Sequence, residues 1–130
     1  MNDIPPAGAD ARFPKESRLL RRPEFSRVFE TGLRVQARSV ILLLSPNDAG
    51  HTRLGIVASR KLGDAVRRNR AKRLIREVFR NTTPPTGQQG LDVVVIPRRE
   101  IFNATFSSFE SDFRGALGRG AARLLRHARQ

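Results

Sequence analysis

The sequence predicts an α+β fold in which helices cover one small β-sheet. Three observations carry this prediction. Continuous apolar runs of strand length occur at 40–44 and 93–96. Segments whose apolar residues recur at helical spacing lie before, between and after these runs. The chain of 130 residues suffices for one small domain with a modest core.

Composition divides the chain into three parts. Residues 1–17 begin with a stretch rich in proline, glycine and alanine, which is typical of a flexible leader. We expect the folded domain to span 18–118. Residues 119–130 read as a basic C-terminal tail.

The first helix of the domain is predicted between Pro23 and Gly32. Proline suits the first position of a helix and glycine suits its end. Phe25, Val28 and Phe29 fall on one face of this helix.

Three strands are predicted from apolar runs. Residues 35–44 read as one extended segment, the turn formers of 45–50 follow, and 53–58 is a second strand. We therefore expect these two strands to form an antiparallel hairpin. Residues 91–96 form a third strand that is apolar enough to be buried on both faces.

Two further helices complete the pattern. One is expected from Asp64, a suitable N-cap, to Arg80, and a non-helical linker follows it at 81–90. The other is predicted from a capping box formed by Ser107 and Glu110. We expect Gly118 and Gly120 to interrupt this last helix, so that 121–130 would form a short additional one.

The charge of the chain indicates a polyanionic partner. Lys and Arg number 25 against 12 acids, which leaves a formal charge of +13 and a pI near 11.8. The absence of cysteine excludes disulfides, thiolate metal sites and a cysteine nucleophile. No apolar stretch reaches the roughly 20 residues that span a bilayer, so we expect a cytoplasmic protein.

The helix expected at 64–80 separates its residues into two faces. Its apolar arc consists of Ala71, Leu74, Ile75, Val78 and Phe79. The opposite arc consists of Asn69, Lys72, Arg73, Arg76 and Arg80, with Arg68 and Arg70 at its edges. A solvated helix would intersperse acids among these cations, and Arg67, Arg68 and Arg70 stand in turns where the helix dipole disfavours positive charge. The pattern therefore favours contact with nucleic-acid phosphates, and Arg60 and Lys61 in the preceding turn extend the surface.

No pattern in the sequence predicts a protein-borne active site. The only histidines are His51 and His127, which lie far apart in the chain, and the acids are scattered. We therefore predict no catalytic side chain and no metal site in this chain.

Two ordered motifs resemble those of a known family. The first lies within 55–77 and consists of Arg68-Asn69-Arg70 followed by Lys72-Arg73 and Arg76. The second lies upstream and consists of Arg18-Leu19 and Phe25-Ser26-Arg27-Val28-Phe29 before Gly32. In this order and spacing they closely resemble the bacterial ribonuclease P protein family, and the resemblance runs from about 18 to about 117.

The resemblance implies a mixed sheet of about four strands in the order αβββαβα, with a left-handed βαβ crossover around the basic helix. It also implies two RNA surfaces. The surface for the catalytic ribonuclease P RNA comprises Arg60, Lys61, Arg67, Arg68, Asn69, Arg70, Lys72, Arg73 and Arg76. The surface for the single-stranded 5′ leader of precursor tRNA comprises Phe25, Phe29 and Leu43. The RNA subunit is expected to bind Mg²⁺ and to cleave the leader, and neither a membrane nor an obligate protein partner is expected.

Some alternatives stay open at the level of the sequence. Aromatic residues at i, i+4 on an amphipathic helix, such as Phe25 and Phe29, are usually core residues. The strand at 40–44 is aliphatic, where the family often has aromatic residues, so Leu43 would replace stacking by apolar contact. The rival functions are an RNA- or ribosome-associated protein without a processing role, a DNA-binding regulator and, less favoured, a membrane-surface helix.

Overall fold

The computed structural model describes residues 18–19, 21–82 and 90–128. The flexible leader predicted at 1–17 and most of the linker predicted at 81–90 lie outside them. The elements are α1 (Arg22–Thr31), β1 (Leu33–Gln36), β2 (Val40–Asn47), β3 (Arg53–Ile56), α2 (Ala65–Arg80), β4 (Gly90–Pro97) and α3 (Phe106–Ala128). Two 3-10 helices, Arg60–Leu62 and Arg99–Asn103, precede α2 and α3. The predicted α+β class and the αβββαβα order are confirmed.

The four strands form one mixed sheet in the order β1-β2-β4-β3. β2 pairs antiparallel with β1 and with β4, whereas β3 pairs in parallel with β4. α2 thus connects two adjacent parallel strands, as the resemblance implied. β4 is an interior strand, which agrees with the almost complete burial of its residues on both faces.

The predicted hairpin between 35–44 and 53–58 is wrong. β4 lies between β2 and β3, and the stretch 35–44 itself reverses direction between β1 and β2. No glycine or proline marks this reversal. The carboxylate of Asp112 on α3 accepts the backbone N–H groups of Arg38 at 3.2 Å and Ser39 at 3.0 Å. The turn is therefore stabilised by a residue distant in sequence, which local turn chemistry does not reveal.

The sheet has two differently covered faces. On one face, Leu42 and Leu44 of β2 form the main core together with residues of α2 and α3, such as Ile75 and Phe113. On the other face, Leu43 and Val94 form a smaller cluster with Val28 of α1. α1 is thereby fixed against the sheet on the side opposite α2 and α3.

The two long helices begin with side-chain caps. Asp64 accepts the N–H of Arg67 at 2.9 Å, which confirms the predicted start of α2. α3 begins earlier than predicted, because the hydroxyl oxygen of Thr105 accepts the N–H of Ser108 at 3.0 Å. Ser107 therefore lies inside the helix, and the predicted capping box is wrong.

α3 runs without a break through Gly118 and Gly120. A Cβ at Gly120 would lie 2.6 Å from Leu44 Cδ1 and 2.9 Å from Val35 Cγ2. This glycine allows α3 to approach the sheet closely, which tertiary packing favours despite the low helix propensity of glycine. The predicted interruption is wrong, and the additional helix expected at 121–130 is the continuation of α3 as far as Ala128.

Candidate nucleic-acid interface

α2 docks on the core by the arc that the sequence predicted. Ala71, Ile75 and Val78 are completely buried and Phe79 nearly so, whereas Leu74 is half-buried. Apolar contact on this side fixes the rotation of the helix about its axis. The cationic arc therefore points outwards.

The cations of α2 lie on the outward side of the helix, as the sequence predicted, although several of them are partly covered by neighbouring residues. Arg67, Asn69, Arg70 and Arg73 are exposed, while Arg68, Lys72 and Arg76 are half-buried. Arg80 forms an ion pair with Glu77 at the C-terminal end of the helix. Glu77 is the one acid within α2, and it lies towards the C-terminal end of the helix.

Two arginines in the first turn of α2, Arg67 and Arg68, have side chains that are partly held by the fold. The Arg67 guanidinium carbon lies 5.8 Å from the centroid of the Phe102 ring, which is a cation–π distance. The Nε atom of Arg68 is buried and has no hydrogen-bond partner among the described residues. Because Asp64 already accepts the N–H of Arg67, a phosphate at this end of the helix would be bound mainly by arginine side chains.

The basic turn before α2 is held by a residue that the sequence did not single out. Arg60 and Lys61 are both exposed in the 3-10 helix, as expected for a surface that extends the basic helix. The Arg99 guanidinium donates to the carbonyl oxygen of Lys61 from Nε at 3.2 Å and from Nη2 at 3.1 Å. Arg99 follows β4, so its role follows from the crossover and not from any local motif.

The residues predicted on the second surface differ in exposure. Phe29 is 48% exposed. Phe25 is half-buried, and its ring covers Gly55, where an added Cβ would lie 2.5 Å from Cε1. Leu43 is only 7% exposed and packs with Val28. Phe29 therefore presents a ring to solvent, Phe25 shares its ring with the core, and Leu43 has little surface left for a ligand.

Half-buried aliphatic residues continue this second surface beyond α1. Ile41 and Ile96 are direct cross-strand partners, and Ile96 and Val57 pack against the small cluster beneath α1. We call Phe25, Phe29, Ile41, Val57 and Ile96 the α1 surface. The sequence did not single out the aliphatic members, because a continuous apolar run does not tell which alternate residues are covered.

Beside the α1 surface lies a buried ionic cluster that sequence reasoning missed. The completely buried Asp92 carboxylate accepts from Arg53 Nε at 2.8 Å and Nη2 at 2.9 Å, from Arg27 Nη2 at 3.0 Å, and from Asn47 Nδ2 at 2.7 Å. Arg53 also pairs with Glu24 of α1 at 3.1 Å. The hydrogen bonds that Arg53 donates to Asp92 raise the pKa of Arg53 above its usual value, so this guanidinium remains charged. The signal in the sequence was one acid inside an otherwise apolar strand, which must be paired when buried.

Among the residues that the structure describes, no group of three or more His, Asp or Glu side chains is arranged to hold a metal ion. His51 is exposed, and its Nδ1 lies 3.1 Å from the carbonyl oxygen of Ala49. Within the same residues, no helix has the length and apolar character needed to cross a membrane.

The fold and these two surfaces define a basic α+β protein of the RNA-binding class, with an arginine-rich helix fixed outwards on a small mixed sheet. The family model of ribonuclease P matches residues 13–120. The chain belongs to the ribonuclease P protein family.

Named relatives agree with this assignment. The chain is 39% identical over 89 residues to the ribonuclease P protein component of Thermotoga petrophila, covering 68% of this chain and 75% of the relative. It is 35% identical to that of Dehalococcoides mccartyi, covering 88% and 91%. The solved structure of the RNase P protein from Thermotoga maritima superposes with a TM-score of 0.69 at 36% identity, covering 78% of this chain and 96% of that one.

Proposed function

We propose that this chain, as the protein subunit of bacterial ribonuclease P, binds the catalytic RNA through α2 and the precursor tRNA leader through the α1 surface. The observation that carries the proposal is the orientation of α2. Its apolar arc is buried and its arginines face outwards beside Arg60 and Lys61. A row of cations fixed on a rigid helix suits the phosphates of a folded RNA.

The α1 surface suits a single strand better than a duplex. The half-exposed ring of Phe29 offers a face for base stacking, and Ile41 and Ile96 offer apolar contact on the sheet face that α1 covers. Arg34 is exposed and is the cross-strand partner of Leu43, so it lies on the same face of the sheet. We expect it to meet the phosphates of a leader whose bases contact the rings.

The cleavage chemistry belongs to the RNA subunit in this proposal. That subunit binds Mg²⁺ and activates the attacking water. The protein lowers the repulsion between two polyanions, so its effect should be largest at modest ionic strength. The complex acts in the cytoplasm, without a membrane and without an obligate protein partner.

The direct test is reconstitution with a bacterial ribonuclease P RNA, in which cleavage of precursor tRNA is measured with and without the protein at modest salt. We expect faster cleavage with the protein and none with the protein alone. A chain that binds structured RNA without stimulating cleavage would favour the RNA-associated rival. Preference for duplex DNA in competition would favour a DNA-binding regulator.

The role of α2 is tested by the double variant Arg68→Ala/Arg70→Ala. We expect weaker binding of the catalytic RNA and a salt dependence reduced by about two phosphate contacts. The matched control is Arg119→Ala/Arg123→Ala, which removes the same charge from exposed positions on α3. Equal losses from both pairs would mean that net charge, and not the α2 face, determines the affinity.

A further inference from the structure

A cleft of about 520 Å³ opens beside the cationic face of α2. It lies between α2 and the segment 101–106, which leads into α3. Apolar side chains form most of its wall, namely Leu74, Ile101, Phe102 and Phe106. Its size lies within the range of sites that bind small molecules. We call it the α2–α3 cleft.

Phe106 gives the cleft an aromatic ring that is only partly packed against the fold. It is 45% exposed, whereas Phe109 and Phe113 on the same helix are completely buried. Among the described residues, the only large apolar side chains as exposed as this are Phe29 and Val66. The second ring of the cleft, Phe102, already has the Arg67 guanidinium above it. Phe106 is therefore the ring left for a ligand to stack on.

Two arginines of α2 line the same cleft, together with Glu77, whose carboxylate is paired with Arg80. Arg70 and Arg73 are three residues apart, so they are neighbours on the helix surface. Both are exposed and belong to the cationic face. A ligand that fits this arrangement carries a flat apolar ring for Phe106 and a negative charge for the arginines. A nucleotide has both.

We infer that the α2–α3 cleft receives an unpaired nucleobase of the catalytic RNA, stacked on Phe106, with its phosphate held by Arg70 or Arg73. This inference rests on the proposed binding of that RNA by α2. A base inside a helix presents only its edge, whereas an unpaired base can turn outwards and stack on an aromatic side chain. The cleft thereby adds recognition of one nucleotide to a surface that otherwise contacts phosphates.

Stacking and phosphate contact respond differently to salt, which separates their contributions. Loss of the Phe106 ring should weaken binding of the catalytic RNA about tenfold at every salt concentration. The slope of affinity against salt should stay the same, because no counterion contact is removed. Replacement of Arg70 by alanine should instead lower that slope by about one.

The test compares wild type, Phe106→Ala, Phe106→Tyr and the control Val66→Ala in complex with a bacterial ribonuclease P RNA. Affinity is measured over a salt series, and the bases of the bound RNA are probed chemically. We expect Phe106→Ala to expose one or a few unpaired bases while the rest of the footprint remains. Phe106→Tyr keeps the ring and should keep the protection. Val66 is 70% exposed on α2 and does not line the cleft, so Val66→Ala should behave as wild type.

Other outcomes overturn the inference. An unchanged footprint and affinity in Phe106→Ala would mean that no base occupies the cleft, and a uniform loss of the footprint would assign Phe106 to the fold. If Phe106→Ala loses the circular dichroism spectrum of the folded protein, Phe106→Leu is tested in its place, because leucine keeps an apolar side chain without the ring. An unchanged footprint and affinity, or a uniform loss of the footprint, would overturn the inference for this variant as well. A wild-type protein without any footprint would contradict the proposed function itself, which distinguishes the two failures.

Discussion

Replacement of Asp92 by asparagine removes one charge from the centre of the buried ionic cluster without changing the shape of the side chain. Each carboxylate oxygen of Asp92 accepts two hydrogen bonds, from Arg53 and Asn47 on one side and from Arg53 and Arg27 on the other. Asparagine keeps one acceptor oxygen, so two of these four bonds are lost whichever way the amide turns. Its NH₂ group then faces two donors.

The size of the effect follows from the exposure of the partners. The Arg27 side chain is half-exposed and can turn to water, but the Arg53 side chain is only 19% exposed and stays in the protein. Breaking a buried pair while one charge remains costs about 3–5 kcal/mol. Because Arg53 keeps its pair with Glu24, we expect the free energy of unfolding to fall by about 3 kcal/mol, the lower end of that range, and the thermal midpoint to fall by about 10–15 °C.

Urea denaturation followed by circular dichroism measures this loss, because the chain has no Trp or Tyr for intrinsic fluorescence. The matched control is Glu30→Gln, which makes the same charge change at an exposed position of α1. We expect the control to stay within about 0.5 kcal/mol of wild type. A loss below about 1 kcal/mol for Asp92→Asn would refute the expected cost of leaving Arg53 without its buried carboxylate.

The remaining predictions concern one ligand contact and the packing of α3. Phe29→Ala should weaken binding of leader-bearing precursor more than of mature tRNA in paired titrations, and equal losses would point to damage of the fold instead. Gly120→Ala should lower the free energy of unfolding, measured in urea, by about 1–3 kcal/mol, because its Cβ would meet Leu44. Gly118→Ala should raise the same free energy by up to about 1 kcal/mol, because a Cβ there would meet no other part of the protein within 4 Å. Thr105→Ala removes the N-cap of α3 and should cost about 1 kcal/mol by the same measurement, while no change would show that water replaces the cap.

The features that were predictable from the sequence depend on neighbours along the chain. α2 was predicted with its N-cap Asp64 and with both of its faces, because helical spacing alone places Ala71 and Ile75 opposite the exposed arginines. α1 was predicted from Pro23 and Gly32 for the same reason. The candidate RNA face follows from these local patterns directly.

The features that were missed depend on residues far apart in sequence. The position of β4 between β2 and β3 follows from competition among strands for the centre of the sheet, which no single strand encodes. The partners of Asp92 come from three different elements, and Gly120 is explained only by the residues packed against it. The α2–α3 cleft arises where α2 meets the start of α3, so neither segment reveals it alone.

The central position of β4 affects the order in which the chain can fold during synthesis. Domains form from the N-terminus as the ribosome proceeds, so β1 and β2 can pair while the rest is still being made. Among the described strands, β3 pairs only with β4, and its other edge is met by a single bridge from Arg18. α2 follows β3 and therefore lacks a fixed place until residues 90–97 have left the ribosome. A nascent chain that ends before β4 would carry all the arginines of α2 without β4 and α3, which complete the core that orients this helix.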